Sequence, residues 1–514
     1  MKTRALMIAL IALAGAVPAT GAPQVMAGWP VPVEAGSVHP GPSGGVVVFN
    51  DGLDWPATVS AFRLDGSRRW LSVHEPTCGN CVNGPIGRGL RADGNYGPIG
   101  PTQDDIWDVT PAGRRVAACR GTVRSDETCL THEVRFTPAP APAVVARRGS
   151  SVLWTYEQPT LRWSILDLFD VRPAILERSP GNVYTWFGSG LDTATGATAA
   201  QQLVALDGAT GALRWRALDA TPQAALTNGV IATTPATPAP LGASNVVHYA
   251  GDGTVRWMTA LATGSEVRQV SINEAQDRAV LLVGQVGVRD TGTIVALRLS
   301  DGAQVWRSAA GPNVTHVTLG ARTAYLATER IGTQPALVAV DFRTGRARWR
   351  FETPTPVVGA RELRDGTVAF TTLGLTGERN LRPRQGRSTA GLLWRIDPKR
   401  RAARPRHASF ALASTRWATR CDPSKCTTDG SGTVLRISVP TRTSIGLRLL
   451  TPSGRLDVDG PTFFVPAGVS YVRVFSDAGR SRSVAVRRIL QMRGSIDGRR
   501  QLIRIPVTIT PPAS

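Results

Sequence analysis

The chain has 514 residues, of which 42% are hydrophobic and 19% charged, with 53 glycines and 37 prolines. A chain of this length is too long to fold around one ordinary compact core. Turn-forming residues are abundant and long amphipathic patterns are missing, which excludes a helical bundle. The formal net charge of +21 suggests a polyanionic partner. However, only three residues are lysines, and the arginines are spread along the chain. That distribution argues against a nucleic-acid interface.

The N-terminal segment has the composition of a secretory signal peptide. Two basic residues precede an apolar run that ends near Val17, and small residues follow. The run is shorter than the roughly 20 residues that a spanning helix needs. We therefore expect residues 1–27 to be a signal peptide, cleaved between Ala19 and Ala27, and the mature protein to be secreted or associated with the cell envelope, without a transmembrane segment.

Six cysteines are present, and an even number in an exported chain favours structural disulfides. The candidate disulfide cysteines are Cys78, Cys81, Cys119, Cys129, Cys421 and Cys426. The last two flank a short turn and are expected to pair with each other, whereas the first four allow several connectivities. Two alternatives stay open for the first four, namely a zinc site and a redox pair formed by Cys78 and Cys81.

A repeated hairpin dominates the middle of the chain. Three segments that begin at Leu203, Ile294 and Leu337 place an apolar start, a glycine and a tryptophan at the same offsets. Each predicts a strand, a turn whose glycine adopts positive φ, and a second strand that ends in the tryptophan. One hairpin alone cannot bury so large a ring. We therefore expect a neighbouring copy of the repeat to cover each tryptophan.

The period of the repeat is that of a propeller blade. Tryptophan-equivalent positions, including looser copies, fall at residues 70, 117, 163, 215, 257, 306, 349 and 404, the last being Arg404. A four-stranded blade takes about 40–50 residues, and radial repetition leaves only short, protected sheet edges. The sequence therefore predicts an all-β protein with an eight-bladed β-propeller over residues 37–414, with seven blades as the alternative.

These segments resemble the tryptophan-docking repeat of the quinoprotein alcohol dehydrogenase-like superfamily, also called the PQQ-like repeat. The resemblance implies that glycine and tryptophan lock neighbouring blades together. The repeat residues concerned are Trp70, Trp163, Trp215, Trp257, Trp306 and Trp349, with Gly66, Gly211, Gly253, Gly302 and Gly345. Enzymes of this superfamily hold a quinone beneath a disulfide of adjacent cysteines, beside calcium and a catalytic aspartate. Since this chain has no adjacent cysteine pair, it resembles the cofactor-free members.

The C-terminal part has a different pattern of apolar and polar residues. Residues 415–432 are expected to form a linker that carries the last cysteine pair, and residues 433–514 contain runs that alternate apolar and polar residues. Alternation with a period of two predicts a small antiparallel β-sandwich, which resembles the immunoglobulin-like modules of exported bacterial proteins. Four arginines of these strands are expected to point outward, as a basic face or an ordinary solvated one: Arg436, Arg448, Arg473 and Arg487.

The sequence suggests no catalytic, cofactor-binding or metal residue and no cofactor. The histidines have no metal-binding spacing and are interpreted as ordinary surface or core residues: His39, His74, His132, His248, His316 and His407. The predicted function is that of an exported, non-catalytic β-propeller, a binding or scaffolding surface for a protein, a glycan or an anionic cell-envelope polymer. The alternative is a PQQ-dependent oxidoreductase or a glycan-active enzyme that acts on the propeller axis.

Overall fold

The computed structural model describes the chain in segments. The described residues are 22–50, 56–76, 89–90, 96–99, 107–117, 122–123, 129–135, 143–148, 151–157, 161–162, 175–178, 181–187, 190–192, 198–199, 202–235, 244–262, 264–285, 288–309, 314–328, 334–375, 390–418, 432–474, 485–496 and 499–511. Trp163 and the side chains of all six cysteines lie outside them. The disulfide, zinc and redox alternatives therefore stay predictions, as does the signal peptide.

The described chain consists almost entirely of β-strands, which confirms the predicted all-β class. The strands that precede residue 220 are β1 Pro23–Val25, β2 Val31–Glu34, β3 Ser37–Pro40, β4 Val46–Asn50, β5 Pro56–Phe62, β6 Arg68–Pro76, β7 Gly89–Leu90, β8 Tyr96–Ile99, β9 Trp107–Val109, β10 Arg115–Ala117, β11 Thr122–Val123, β12 Cys129–Arg135, β13 Ala143–Arg148, β14 Ser151–Glu157, β15 Leu161–Arg162, β16 Ile175–Arg178, β17 Asn182–Phe187, β18 Gly190–Asp192, β19 Thr198–Ala199, β20 Gln202–Asp207 and β21 Leu213–Leu218.

The later strands begin in the middle of the repeat region and continue to the C-terminus. They are β22 Thr221–Leu226, β23 Gly229–Pro235, β24 Ser244–Ala250, β25 Val255–Ala260, β26 Ser265–Asn273, β27 Arg278–Gln285, β28 Val288–Arg298, β29 Gln304–Ala309, β30 Val314–Leu319, β31 Thr323–Thr328, β32 Ala336–Asp341, β33 Ala347–Glu352, β34 Val357–Glu362, β35 Val368–Leu373, β36 Ala390–Arg401, β37 Ser409–Leu412, β38 Arg416–Ala418, β39 Thr433–Val439, β40 Thr443–Leu450, β41 Leu456–Val465, β42 Gly468–Val474, β43 Val486–Ile496 and β44 Arg499–Thr510. Two short 3-10 turns occupy Pro42–Gly44 and Glu274–Gln276.

Antiparallel sheets follow one another from β3 to β36. The first three are β3 to β6, β7 to β10 and β11 to β14; the fourth is β16, β17, β20 and β21; the next three are β22 to β25, β26 to β29 and β30 to β33. The first strands of neighbouring sheets contact each other, as β26 contacts β30 and β30 contacts β34. Because β3 also contacts β34, the sheets form a ring with their first strands around its axis.

The last sheet of the ring, here called the closing sheet, contains strands from both ends of the propeller. β34, β35 and β36 pair in order, and β1 and β2 both pair with β36, through Pro23↔Arg401 and Val31↔Leu393. The propeller therefore includes strands before residue 37, its predicted start. Besides these eight sheets, β15, β18 and β19 form a three-stranded sheet in the described part of the chain. The choice between eight and seven blades stays a prediction.

Tryptophans on the outer strands dock onto the hairpin turn of the next sheet. The indole Nε1 of Trp215 donates to the carbonyl oxygen of Gly251 at 3.0 Å, and its ring lies against Gly253, which has a φ of 89°. The indole Nε1 atoms of four other tryptophans donate to backbone carbonyl oxygens in the same way: Trp70 to Pro111 (3.0 Å), Trp154 to Gly208 (3.2 Å), Trp257 to Leu299 (2.7 Å) and Trp306 to Phe342 (2.6 Å). A side chain at Gly253 would collide with the indole, since a Cβ there would lie 2.6 Å from the Trp215 ring.

On the third sheet Trp154 docks onto the next turn, whose Gly211 faces its ring. The assignment of Trp163 falls outside the described residues and stays a prediction. In the last repeat, Arg404 is exposed beyond β36, so its assignment as a tryptophan equivalent is wrong. Trp29, between β1 and β2, donates to the carbonyl of Leu64 instead, because the N-terminal strands complete the closing sheet.

The C-terminal strands form two further sheets with a common core. β37, β39 and β42 make one sheet, and β38, β44, β43, β40 and β41 make the other. Leu435, Val472, Ile445 and Phe463 belong to one buried cluster that draws on both sheets. Since β37 and β38 pair with β39 and β44, the unit begins before residue 433, within the stretch predicted to be propeller and linker. Its assignment as an immunoglobulin-like sandwich stays a prediction.

Arg473 joins this C-terminal unit to the closing sheet. Its side chain is buried, and Nη1 donates to the carbonyl oxygens of Val33 at 3.0 Å and Gly391 at 3.3 Å. Burial lowers the pKa of Arg473 to about 10, while the charge of Glu34 opposes that shift, so the guanidinium stays charged at neutral pH. The prediction that Arg473 faces outward is therefore wrong. Its strand, β42, packs against β36 of the propeller.

Candidate binding cavity at the propeller axis

A cavity of about 760 Å³ opens where the first strands of four sheets end. Its walls come from the ends of β3, β26, β30 and β34 and from the turns that follow β30 and β34. These strands belong to the first, sixth and seventh sheets and the closing sheet, which are neighbours in the ring. The cavity therefore lies at the end of the axis where first strands turn back into second strands.

The cavity wall carries positive groups that have no acidic partner among the described residues. Arg361 and Arg364 line the closing-sheet side and are both exposed. His316, which is uncharged at neutral pH, lines the cavity from the neighbouring strand β30. By contrast, Arg268, on the neighbouring β26, pairs with Glu266 at 2.9 Å. The arginines of the cavity are therefore free to meet an anion.

Two histidines near this wall are held in their neutral form. Burial lowers the pKa of His39 to about 4, and the positive charge of Arg361 acts in the same direction. Partial burial also lowers the pKa of His316, although the residue is exposed at the cavity wall. Nε2 of His39 lies 3.0 Å from Oγ of Ser37. At neutral pH these imidazoles offer hydrogen bonds, and the arginines supply the charge.

Glu362 is the one carboxylic acid among the described residues that line the cavity. Its Oε2 accepts hydrogen bonds from the Tyr325 hydroxyl at 3.0 Å and the Ala321 backbone N–H at 3.2 Å. The carboxylate also lies so close to Gly320 that a Cβ there would overlap it. Burial and Glu362 together raise the pKa of Tyr325, which keeps the phenol protonated as a donor. Glu362 therefore orders the turn after β30.

Side chains of β26 fix the backbone of β30 beside the cavity. Gln269 accepts from the Val317 N–H at 2.9 Å and donates to the Val317 carbonyl at 2.8 Å. Ser271 donates to the same carbonyl at 3.1 Å, and Asn273 donates to the Gly320 carbonyl at 3.2 Å. Each bond crosses from one sheet to the next. The cavity wall is consequently preorganised.

A second, smaller cavity of about 360 Å³ lies between the fourth and fifth sheets. Arg214, one of its two lining arginines, donates to Asp207 at 2.5 Å and to Asn182 at 2.5 Å. Asn182 in turn donates to the Gly251 carbonyl at 3.0 Å, the acceptor that Trp215 also uses. These groups hold the two sheets together, so this cavity belongs to the structural contact between them.

One serine motif was not identified from the sequence. Residues 41–45 read Gly-Pro-Ser-Gly-Gly, which fits the G-x-S-x-G pattern of hydrolases, and Ser43 has a φ of 54°. A nucleophile elbow joins a strand to a helix and presents its serine to a histidine. Here the segment is a short turn between β3 and β4, and Ser43 is exposed. The motif alone would suggest a hydrolase, and the local fold does not support one.

The residues named by the sequence do not converge on one site. The repeat tryptophans and glycines lie on the outer strands and turns around the ring, while the axial cavity is lined by His316, Arg361, Glu362 and Arg364. No repeat signal marks these cavity residues, because first strands carry neither the glycine nor the tryptophan. Within the described segments, no group of three metal-ligating side chains clusters, and no helix is long and apolar enough to cross a membrane.

The chain is similar to known propeller proteins over part of its length. Residues 290–408 match a family model, PQQ_2, described as outer membrane protein assembly factor BamB. No curated protein matches the sequence. BamB from Moraxella catarrhalis is 12% identical, over 73% of this chain and 100% of that one, with a TM-score of 0.41.

Two further solved structures are similar at the same level. Quinohemoprotein alcohol dehydrogenase from Comamonas testosteroni is 12% identical over 75% of this chain and 78% of its own, with a TM-score of 0.42. Sqt1 from Saccharomyces cerevisiae is 9% identical over 73% and 100%, with a TM-score of 0.40. Identities and TM-scores this low say nothing about ligand or reaction. The antiparallel sheets have the architecture of a β-propeller, and residues 290–408 match the PQQ_2 family model.

Proposed function

We propose that this chain is an exported, non-catalytic propeller that serves as a binding or scaffolding surface in the cell envelope. The partner classes are a protein, a glycan or an anionic envelope polymer. The observation that carries the proposal is the axial cavity, whose Arg361 and Arg364 have no acidic partner among the described residues. A preorganised, positively charged concave surface is suited to binding.

The arrangement of the remaining polar groups supports binding over catalysis. Hydrolysis of a glycan commonly uses two carboxylic acids that flank the scissile bond. The described cavity lining offers Glu362, and that carboxylate is engaged by Tyr325 and the Ala321 N–H. The repeat tryptophans are used in contacts between sheets, as Trp257 and Trp306 show.

The test is retention of the purified protein on isolated cell envelope. We expect saturable retention that the heat-denatured protein does not show. Elution of the folded protein without retention, over envelope from the organism that encodes it, would overturn the proposal. A purified partner recovered from the retained fraction would then assign the class.

The enzymatic alternative is tested separately. Protein incubated with pyrroloquinoline quinone and calcium should leave an artificial electron acceptor unreduced across a panel of alcohols and sugars. It should also release no reducing ends from envelope glycans. Reduction of the dye, or release of reducing ends that depends on Glu362, would replace the binding proposal with an enzymatic one.

A further inference from the structure

We propose that the axial cavity binds an acidic saccharide, and that Arg361 and Arg364 hold its carboxylate. This inference rests on the proposed binding function and adds the class of ligand and the site. The ligand is a sugar unit that carries a carboxylate, either in a short oligosaccharide or within a polymer chain. Neither arginine has a role in the Trp–Gly contacts that hold the ring together.

The charge of the cavity favours an anion. Among the described residues of the first strands, Arg268 is neutralised by Glu266, and Glu362 is hydrogen-bonded to the turn after β30. Among the residues that the structure describes, no carboxylate forms an ion pair with Arg361 or Arg364. A guanidinium presents a planar set of donors that matches a carboxylate, so two arginines three residues apart provide charge and orientation.

The size and lining of the cavity favour a saccharide over a simple ion. A volume of about 760 Å³ falls in the range of small-molecule sites, far above the volume that one inorganic anion fills. The wall also presents polar side chains, including His316 and Thr318, and the exposed backbone of the strand ends. Sugar hydroxyl groups both donate and accept hydrogen bonds, and neutral imidazoles do the same.

The cavity wall holds its shape without a ligand. Gln269, Ser271 and Asn273 bind the β30 backbone from the neighbouring sheet, and Glu362 binds the turn that follows. Replacing the exposed Arg361 and Arg364 leaves all these bonds intact. Loss of binding in such a variant would therefore report on the arginines themselves.

The test uses calorimetric titration of the full-length protein with trigalacturonate, with polygalacturonate and with fully methyl-esterified trigalacturonate. The two acids separate a free oligosaccharide from a polymer as the source, and the ester keeps the shape but removes the charge. We expect the acids to bind and the ester to bind about tenfold more weakly or worse, as expected for loss of a charged hydrogen bond. Binding of the acids should weaken with added salt.

The matched variants are Arg361→Gln with Arg364→Gln, and Arg307→Gln as a control. Arg307 is an exposed arginine of β29, on the outer edge of the sixth sheet. The double variant should lose at least tenfold in affinity for trigalacturonate, and the control should bind as the unaltered protein does. Near-ultraviolet circular dichroism should show that both variants are folded.

Three results would overturn the inference: equal binding of acid and ester, unchanged binding by the double variant, or no binding of either acid. Envelope retention separates this failure from failure of the proposed function. If the double variant and the unaltered protein are retained alike, the cavity assignment fails and the binding function stands. If the unaltered protein is not retained at all, the proposed function fails.

Discussion

Trp29 donates a hydrogen bond of 3.1 Å from its indole Nε1 to the carbonyl oxygen of Leu64, which joins the closing sheet to the first sheet. The ring is buried beside Phe62. Trp29→Ala should lower the free energy of unfolding by about 3–5 kcal/mol, because it removes a large buried ring. Trp29→Phe should lower the free energy of unfolding by about 1 kcal/mol beyond the effect of the smaller ring, because the hydrogen bond is lost.

Urea denaturation measures both changes, with Leu218→Ala as the control, since Leu218 is exposed on β21. A loss below about 1 kcal/mol in Trp29→Ala would show that the N-terminal strands are not needed to close the ring.

Gly253 and Gly454 provide a matched pair for testing the contacts between sheets. Both have positive φ, at 89° and 85°, but Gly253 faces the Trp215 ring whereas a Cβ at Gly454 would have no neighbour within 4 Å. Gly454→Ala should cost about 1–2 kcal/mol from backbone strain alone. Gly253→Ala should cost at least about 2 kcal/mol more, because overpacking adds to that strain. Equal losses in thermal or urea unfolding would contradict the docking role of Trp215.

Arg473 should couple the C-terminal unit to the propeller. Replacing it by Met leaves the Val33 and Gly391 carbonyls without their buried donor, at a cost of about 3–5 kcal/mol. The expected result is faster cleavage between the two parts in limited proteolysis, and separate unfolding transitions. Arg436→Met, at an exposed position of the adjacent strand β39, should leave both unchanged. A single transition at the original midpoint in Arg473→Met would refute the coupling.

His39 should make the protein less stable in mild acid. Its pKa is about 4 in the folded state because of burial and Arg361, against 6.5 in the unfolded chain. The unfolded state therefore binds more protons, and stability falls as the pH drops from about 6.5 to about 4, by up to about 3 kcal/mol.

His39→Gln should flatten this part of the pH profile. The measurement is the difference in unfolding free energy between variant and unaltered protein at successive pH values, which cancels the parallel contributions of His248 and His316. Asp207 lies outside this window, because the hydrogen bond from Arg214 holds the pKa of its carboxyl well below its usual value of 3.8. Parallel profiles for the two proteins would disprove the assignment.

The pairing of β1 restricts where the predicted signal peptide can be cleaved. Pro23–Val25 pairs with β36, and the Ala402 N–H donates to the Ala22 carbonyl at 3.0 Å. Cleavage at Ala27 would remove this strand, so we expect a mature chain that begins at or before Ala22. Sequencing the N-terminus of exported protein checks this, and a start at Gly28 would be incompatible with the paired strand.

The sequence predicts the local part of this fold well. A positive-φ glycine and a tryptophan four residues later define a hairpin from neighbouring residues, so Gly211, Gly302 and Gly345 mark real turns. The contact of Trp29 with Leu64 joins the two ends of a ring, and no local pattern encodes that closure. In β42, Arg473 follows the alternation of a solvated strand, and only its packing against β36 shows that it is buried.

The axial cavity was not predicted for a related reason. Arg361 and His316 are single polar residues on separate strands, and no spacing in the chain reveals that β30 and β34 are neighbours at the axis. His39 and His316 looked like ordinary histidines because their surroundings come from other sheets. The counts of charged residues indicate a basic protein. The ion pair of Arg268, and the lack of an acidic partner for Arg361 among the described residues, can be seen only from three-dimensional contacts.

The closing sheet can form only after most of the chain has been synthesised. Residues 23–34 are synthesised long before the strand that they pair with, which ends at Arg401. Folding that advances with elongation therefore cannot finish the ring, and β1 and β2 wait without a partner while the other sheets stack. During that delay the strand edges at both ends of the open ring are exposed to other chains. Slower emergence of the segment up to residue 401 would lengthen the period in which misassembly competes with closure.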